Sequence, residues 1–133
     1  MNTLAKLYGM ISLVAILATS CGITEEQRAI SKNYDLEYSV EANVENISKI
    51  IYTDESGNSS VIENTTGEWN INTKAQSGQT VKLEVFGTYS DADDSNISMQ
   101  INAKNGEFYT TREIDKKKET NKHFHYYLVH VLD

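Results

Sequence analysis

The stretch LEYSVEANVE, Leu36 to Glu45, alternates without a break: Leu36, Tyr38, Val40, Ala42 and Val44 are apolar, while Glu37, Ser39, Glu41, Asn43 and Glu45 are polar. Successive side chains of a strand point to opposite faces, so this period of two predicts a β-strand with one face buried and one in water. The texture recurs toward the C-terminus. Ile47 to Thr53 is β-branched and strand-like, DESGNSS (Asp54 to Ser60) supplies a hairpin loop with Gly57 available for a positive φ, and Val61 to Thr66 reads as the return strand. Trp69, Ile71, Thr73 and Ala75 alternate up to a turn at Gln76 to Gln79, and Val81, Leu83 and Val85 follow in the same style.

After the acidic loop DADDS (Asp91 to Ser95), Ile97, Met99, Ile101 and Ala103 form another alternating run. Asn105-Gly106 then predicts a type I′ hairpin, because both residues tolerate left-handed backbone angles. Phe108 to Ile114 pairs back across it, Asp115 to Lys122 reads as a solvated loop, and His123 to Leu132 closes the domain. Short strands at intervals of 8 to 12 residues, with no helical periodicity after Lys32, predict an all-β sandwich or barrel of about seven or eight strands over residues 34–133. Trp69 is expected in its core. The chain has no proline, so strand edges must be guarded by charge instead, and Glu37, Glu41, Lys82 and Glu84 are the candidates for that task.

The N-terminal side has a different character. Lys6 is followed by an apolar run from Met10 to Ala18, then by the small residues Ala18, Thr19 and Ser20, then by Cys21, the only cysteine in the chain. A positive charge, a short apolar run and small residues in this order read as a secretory signal. The sequence LATSC looks like a lipobox, at which a bacterial lipoprotein is diacylated on the cysteine sulfur and cut just before it. Leu7 to Ser20 is too short to span a bilayer core, which needs about 20 apolar residues. Residues 1–20 are therefore expected to be a lipoprotein signal peptide, Cys21 the lipidation site, and residues 21–33 a polar lipidated tether. Two or three acyl chains on one sulfur bind membrane far more firmly than the marginal hold of a single chain.

Removing residues 1–20 takes away Lys6 and no acid, which leaves 11 basic and 19 acidic residues in the mature part. Such an acidic balance argues against nucleic acid and against docking onto anionic head groups, both of which need a positive surface.

The middle of the chain resembles a known family. YSVEANVENISKIIYTDESGN (Tyr38 to Asn58) and GEWNINTKAQSGQTVKLEV (Gly67 to Val85) are similar to the mycobacterial membrane protein family called MmpS and its lipoprotein relatives. Ile50, Tyr52, Asp54 and Gly57 match that family's hairpin, Trp69 its tryptophan, Gly78 its turn glycine, and Val81, Leu83 and Val85 the strand that follows. Glu68 stands where the family usually has proline, and the cysteine pair of the mycobacterial members is absent. The resemblance implies an immunoglobulin-like antiparallel sandwich outside the cytoplasmic membrane, in a protein that assists a lipid transporter of the resistance-nodulation-division type.

Chemistry-bearing residues are few. His123 and His125 lie two apart on one strand and project from one face, a spacing that suits a metal, whereas His130 has the opposite parity. Asp91, Asp93 and Ser95 share the i, i+2, i+4 spacing of a calcium loop, but Asn96 replaces its glycine and Asn102 its bidentate glutamate. Neither group completes a metal site. No G-x-S-x-G elbow or other nucleophile signature occurs and no cofactor motif is present, so a non-enzymatic role is expected. Tyr89, Tyr109, Phe124, Tyr126 and Tyr127 are candidates for an aromatic binding platform. Two readings follow. One is a cell-envelope lipoprotein that serves as a binding or accessory module for a membrane protein or transport complex. The other is a surface-displayed carbohydrate- or peptide-binding module. Gly22 directly after the anchor points to the outer membrane if the host is Gram-negative.

Overall fold

The computed structural model describes residues 32–133. These form eight strands: β1 (Asn33–Asn43), β2 (Asn46–Thr53), β3 (Ser59–Thr65), β4 (Glu68–Gln76), β5 (Thr80–Thr88), β6 (Asn96–Asn105), β7 (Phe108–Lys117) and β8 (His123–Val131). They build two antiparallel four-stranded sheets, β4-β1-β6-β7 and β3-β2-β5-β8, so the domain is a β-sandwich. Consecutive strands β1 and β2 lie in different sheets, as do β4 and β5, while β1 pairs with β4 and β2 with β5. This interlocking of two strand pairs across the sandwich is the one that immunoglobulin-type sandwiches use. The β6-β7 hairpin extends the first sheet beyond β1, and β8 completes the second beside β5. Cys21, the signal segment and nearly all of the tether lie outside the described residues.

The alternation of the sequence becomes the core directly. Tyr34, Leu36, Tyr38 and Val40 of β1 face Val81, Leu83 and Val85 of β5, with Ile97, Met99, Ile101 and Ala103 of β6 in the same buried cluster. On β2 the pattern breaks, because Ile47, Ile50 and Tyr52 are all buried although the first two lie three residues apart. A register shift between Ile47 and Lys49 against β5 accounts for it: the extra residue re-aims the strand so that both isoleucines reach the interior.

Four expectations are corrected by the fold. The β6-β7 turn has two residues, but they are Gly106 and Glu107, since Asn105 pairs with Phe108. Only Gly106 has a positive φ, at 58°, which is the sign pattern of a type II′ turn with glycine first. β7 runs on to Lys117 rather than stopping at Ile114, because β6 continues to offer partners, with Asp115 opposite Ser98 and Lys117 opposite Asn96. Glu37 and Glu41 lie on β1 and Lys82 and Glu84 on β5, both interior strands of their sheets, so they do not guard edges. Three edges do carry charge: Glu63 on β3, Glu68 and Lys74 on β4, and Arg112, Glu113, Asp115, Lys116 and Lys117 on β7. Finally, Trp69 is half-buried on edge strand β4 and leans on Tyr52 with ring centroids 5.5 Å apart, covering the core from its margin.

The two ends of the domain are tied together. The β4-β5 turn receives both: Ser77 donates its N–H to the Lys32 carbonyl at 2.8 Å, and Gly78 to that of Leu132 at 2.6 Å. The Tyr34 hydroxyl donates to the Asp133 backbone oxygen.

Candidate functional site

The outward face of β3-β2-β5-β8 mixes exposed apolar side chains with charged ones. Register sets Val61, Ile51, Glu84 and Tyr127 in one row across the four strands, and Glu63, Lys49, Phe86 and His125 in the next. Val129 stands beside Lys82 and Val131 beside Thr80. Val61, Tyr127, Val129 and Val131 are 50%, 61%, 44% and 55% exposed, which places four large apolar side chains on one sheet face. Val61 lies on edge strand β3 and the other three on edge strand β8, so exposed apolar groups flank a charged middle, and apolar surface rimmed by polar residues is a feature of interaction sites.

Charge is built into the middle of this face. The His125 ring stacks on Phe86 with centroids 3.9 Å apart and planes 11° from parallel, and its Nε2 lies 2.8 Å from Glu84 Oε1. Lys82 Nζ approaches the other Glu84 oxygen at 3.2 Å and lies 5.8 Å from the Tyr127 ring centroid, while Lys49 Nζ sits 4.6 Å over Phe86. Burial on its own would raise the Glu84 pKa, but the hydrogen bonds and charges of His125 and Lys82 outweigh it and hold the carboxyl below its ordinary value. Glu84 therefore stays ionised in the centre of an aromatic and aliphatic surface.

Of the residues singled out in sequence, His123 and His125 do share this face, but each has a partner other than a metal: His123 Nδ1 lies 3.1 Å from Thr88 Oγ1, and His125 is engaged with Glu84. The Asp91, Asp93, Ser95 loop is not a ligand cage. Ser95 is buried, donating its hydroxyl to the Asn43 carbonyl at 2.7 Å and accepting from the Ser90 N–H at 3.0 Å, while Asp91 turns outward to Lys122 at 3.2 Å. Among the described residues no three His, Cys, Asp or Glu side chains converge as metal ligands do. The aromatic platform is dispersed as well. Tyr89 and Phe124 are core, the Tyr126 and Tyr89 hydroxyls share a hydrogen bond at 2.8 Å, and Tyr109 and Tyr127 lie in opposite sheets.

The outward face of β4-β1-β6-β7 differs in kind. A groove of about 490 Å³ crosses it from Tyr109 on β7 over Asn102 and Lys104 on β6 and Asp35 and Glu37 on β1 to Asn72 and Lys74 on β4, with Glu55 of the β2-β3 loop beside it. Asp35 lies in register between Lys74 and Lys104, and Glu37 between Asn72 and Asn102. Thr111 donates to Asn102 Oδ1 at 2.9 Å, and Asn102 Nδ2 to Glu37 at 3.3 Å. The sequence does not reveal this groove, since its members are scattered over four strands and only Tyr109 is among the candidate binding residues read from it.

His130 faces the interior, as its parity requires. Arg112 Nε donates to its Nδ1 at 3.4 Å, and its Nε2 is buried with no hydrogen-bond partner among the described residues. Burial first, then the Arg112 charge, lowers its pKa below 6.5, against a smaller opposing pull from Asp133. The folded state therefore binds fewer protons than the unfolded chain below about pH 6.5, so this contribution to stability is complete above that pH and shrinks as pH falls toward the folded pKa. Denaturant midpoints should fall between pH 7.5 and pH 5.5, and His130→Leu should flatten that slope. An equal slope in both proteins would show that His130 is not its source.

No protein-family model matches this chain, and no curated protein matches it.

Proposed function

We propose that the protein is a cell-envelope lipoprotein, diacylated at Cys21, whose sandwich serves without catalysis as a binding or accessory module for a membrane protein complex. The observation that carries this reading is the exposed apolar face of β3-β2-β5-β8, with Tyr127 at one edge and Val61 at the other. Exposed aliphatic and aromatic groups around a central ionised carboxylate suit a protein partner, where rings and branched chains supply contact area and charge fixes orientation. The lipobox at LATSC and the similarity of Tyr38–Asn58 and Gly67–Val85 to MmpS proteins support the same reading. Gly22 after the anchor favours the outer membrane in a Gram-negative host.

The test uses the full chain in its native envelope. Cys21→Ala is expected to leave the sandwich folded and move it from the membrane to the soluble fraction. A photo-crosslinking benzoylphenylalanine at Tyr127 should yield an adduct with an integral membrane protein, and one at Gln100 on the opposite sheet should not. Retention of the Cys21→Ala protein in membranes, or equal adducts from both positions, would contradict the proposal. The second reading, a surface-displayed carbohydrate- or peptide-binding module, draws on the polar groove of the other sheet.

A further inference from the structure

We infer that the groove over β4-β1-β6-β7 binds an uncharged oligosaccharide, at a site separate from the apolar face and whether or not that face docks a protein. Its size, about 490 Å³, lies within the range of small-molecule sites. It runs across the strands, and four strands at about 4.8 Å spacing give it a length of about 14 Å, the reach of an extended oligosaccharide and not of a single sugar.

The lining has the donor and acceptor balance that hydroxyl groups require. Each sugar hydroxyl both donates and accepts, and the groove offers carboxylates as acceptors, ammonium groups as donors and the carboxamides of Asn72 and Asn102 as both. Asn102 is held in place from both sides by Thr111 and Glu37, so one carboxamide of the lining is already oriented on the sheet. At one end Tyr109, 59% exposed, presents a ring whose face matches the apolar C–H face of a pyranose.

Other ligand classes fit less well. The three carboxylates Asp35, Glu37 and Glu55 nearly cancel Lys74 and Lys104, so neither a polyanion nor a cation finds a field of one sign. A peptide added to a sheet needs a free strand edge, whereas this groove lies on a sheet face and crosses its strands; a helical or polyproline peptide needs apolar or multiple aromatic pockets. The groove has a single exposed ring, Tyr109, and although much of its lining surface is apolar, eight of its ten lining residues are polar or charged. Among the described residues, Lys74 and Lys104 are not held in ion pairs.

The experiment is calorimetric titration of the lipidated full chain, in a detergent without a sugar head group, with cellohexaose, maltohexaose and N-acetylchitohexaose as probes. Hexagalacturonate serves as the charged comparison. At least one neutral hexasaccharide is expected to bind more tightly than hexagalacturonate. Tyr109→Ala should weaken it about tenfold, the equivalent of about 1.4 kcal/mol, while Tyr109→Phe keeps the ring and the affinity. Tyr127→Ala, on the opposite face, should leave it unchanged. Absence of binding by all three at several millimolar, preference for hexagalacturonate, or equal losses in Tyr109→Ala and Tyr127→Ala would overturn the inference. Tyr109 is exposed, so its replacement does not disturb the core, and loss of the protein-docking function would leave these titrations unaffected.

Discussion

Gly87→Ala should cost this domain about 3 kcal/mol or more, a fall in melting temperature of roughly 12 to 24 °C for a sandwich of this size. Gly87 is buried in β5, between Ile47 of β2 and Phe124 of β8. A Cβ there would lie 2.5 Å from the Asn46 backbone oxygen and 2.5 Å from Phe124 Cζ. The ring has some freedom to tilt, although it is packed against Tyr89 at 4.8 Å and Tyr126 at 5.6 Å. The carbonyl has almost none, because Asn46 opens β2 in register with Thr88. Combining Gly87→Ala with Phe124→Leu should therefore recover only part of the loss. A thermal melt of Gly87→Ala within a few degrees of the parent would mean that β2 and β5 are not this close.

Tyr38→Ala should destabilise by about 3 to 5 kcal/mol, the cost of deleting a large buried ring. Tyr38 is fully buried at the centre of β1, with its ring 5.6 Å from that of Tyr52. Its hydroxyl donates to the Thr53 carbonyl at 2.8 Å, and burial raises the pKa of that hydroxyl well above the usual phenol value. Tyr38→Phe keeps the ring but leaves the Thr53 carbonyl short of a donor, for about 1 to 3 kcal/mol. Chemical denaturation of both variants should give that order, with Trp69→Ala milder than Tyr38→Ala because the indole covers the core only from its margin. Equal midpoints for Tyr38→Phe and the parent would mean that the Thr53 carbonyl has another partner.

Much of this architecture is legible along the chain. Alternation from Leu36 to Val40, Val81 to Val85 and Ile97 to Ala103 marks the buried face residue by residue. Glycine at 57, 78 and 106 marks three turns that each use a positive φ. Other features escaped because their cause is not local. The turn at Gly106 slipped by one residue because its type is set by which residues pair across β6 and β7. The role of Gly87 is invisible in VFGTY, where glycine looks like an interruption of the strand; only the Asn46 carbonyl of β2 and the Phe124 ring, 37 positions later, explain it.

The candidate surfaces divide along the same line. Sequence alone determined that His123 and His125 share a face, that His130 opposes them, and that the domain is all-β, because side-chain direction in a strand follows from parity and needs no knowledge of neighbours. Tertiary structure decided what each face contains. Glu84 meets His125 from 41 residues away, and Asp35 falls between Lys74 and Lys104 only because β1 lies between β4 and β6. Parity is a local property of the backbone, whereas strand order depends on how two sheets enclose one core, and it is strand order that assembles the apolar face and the polar groove.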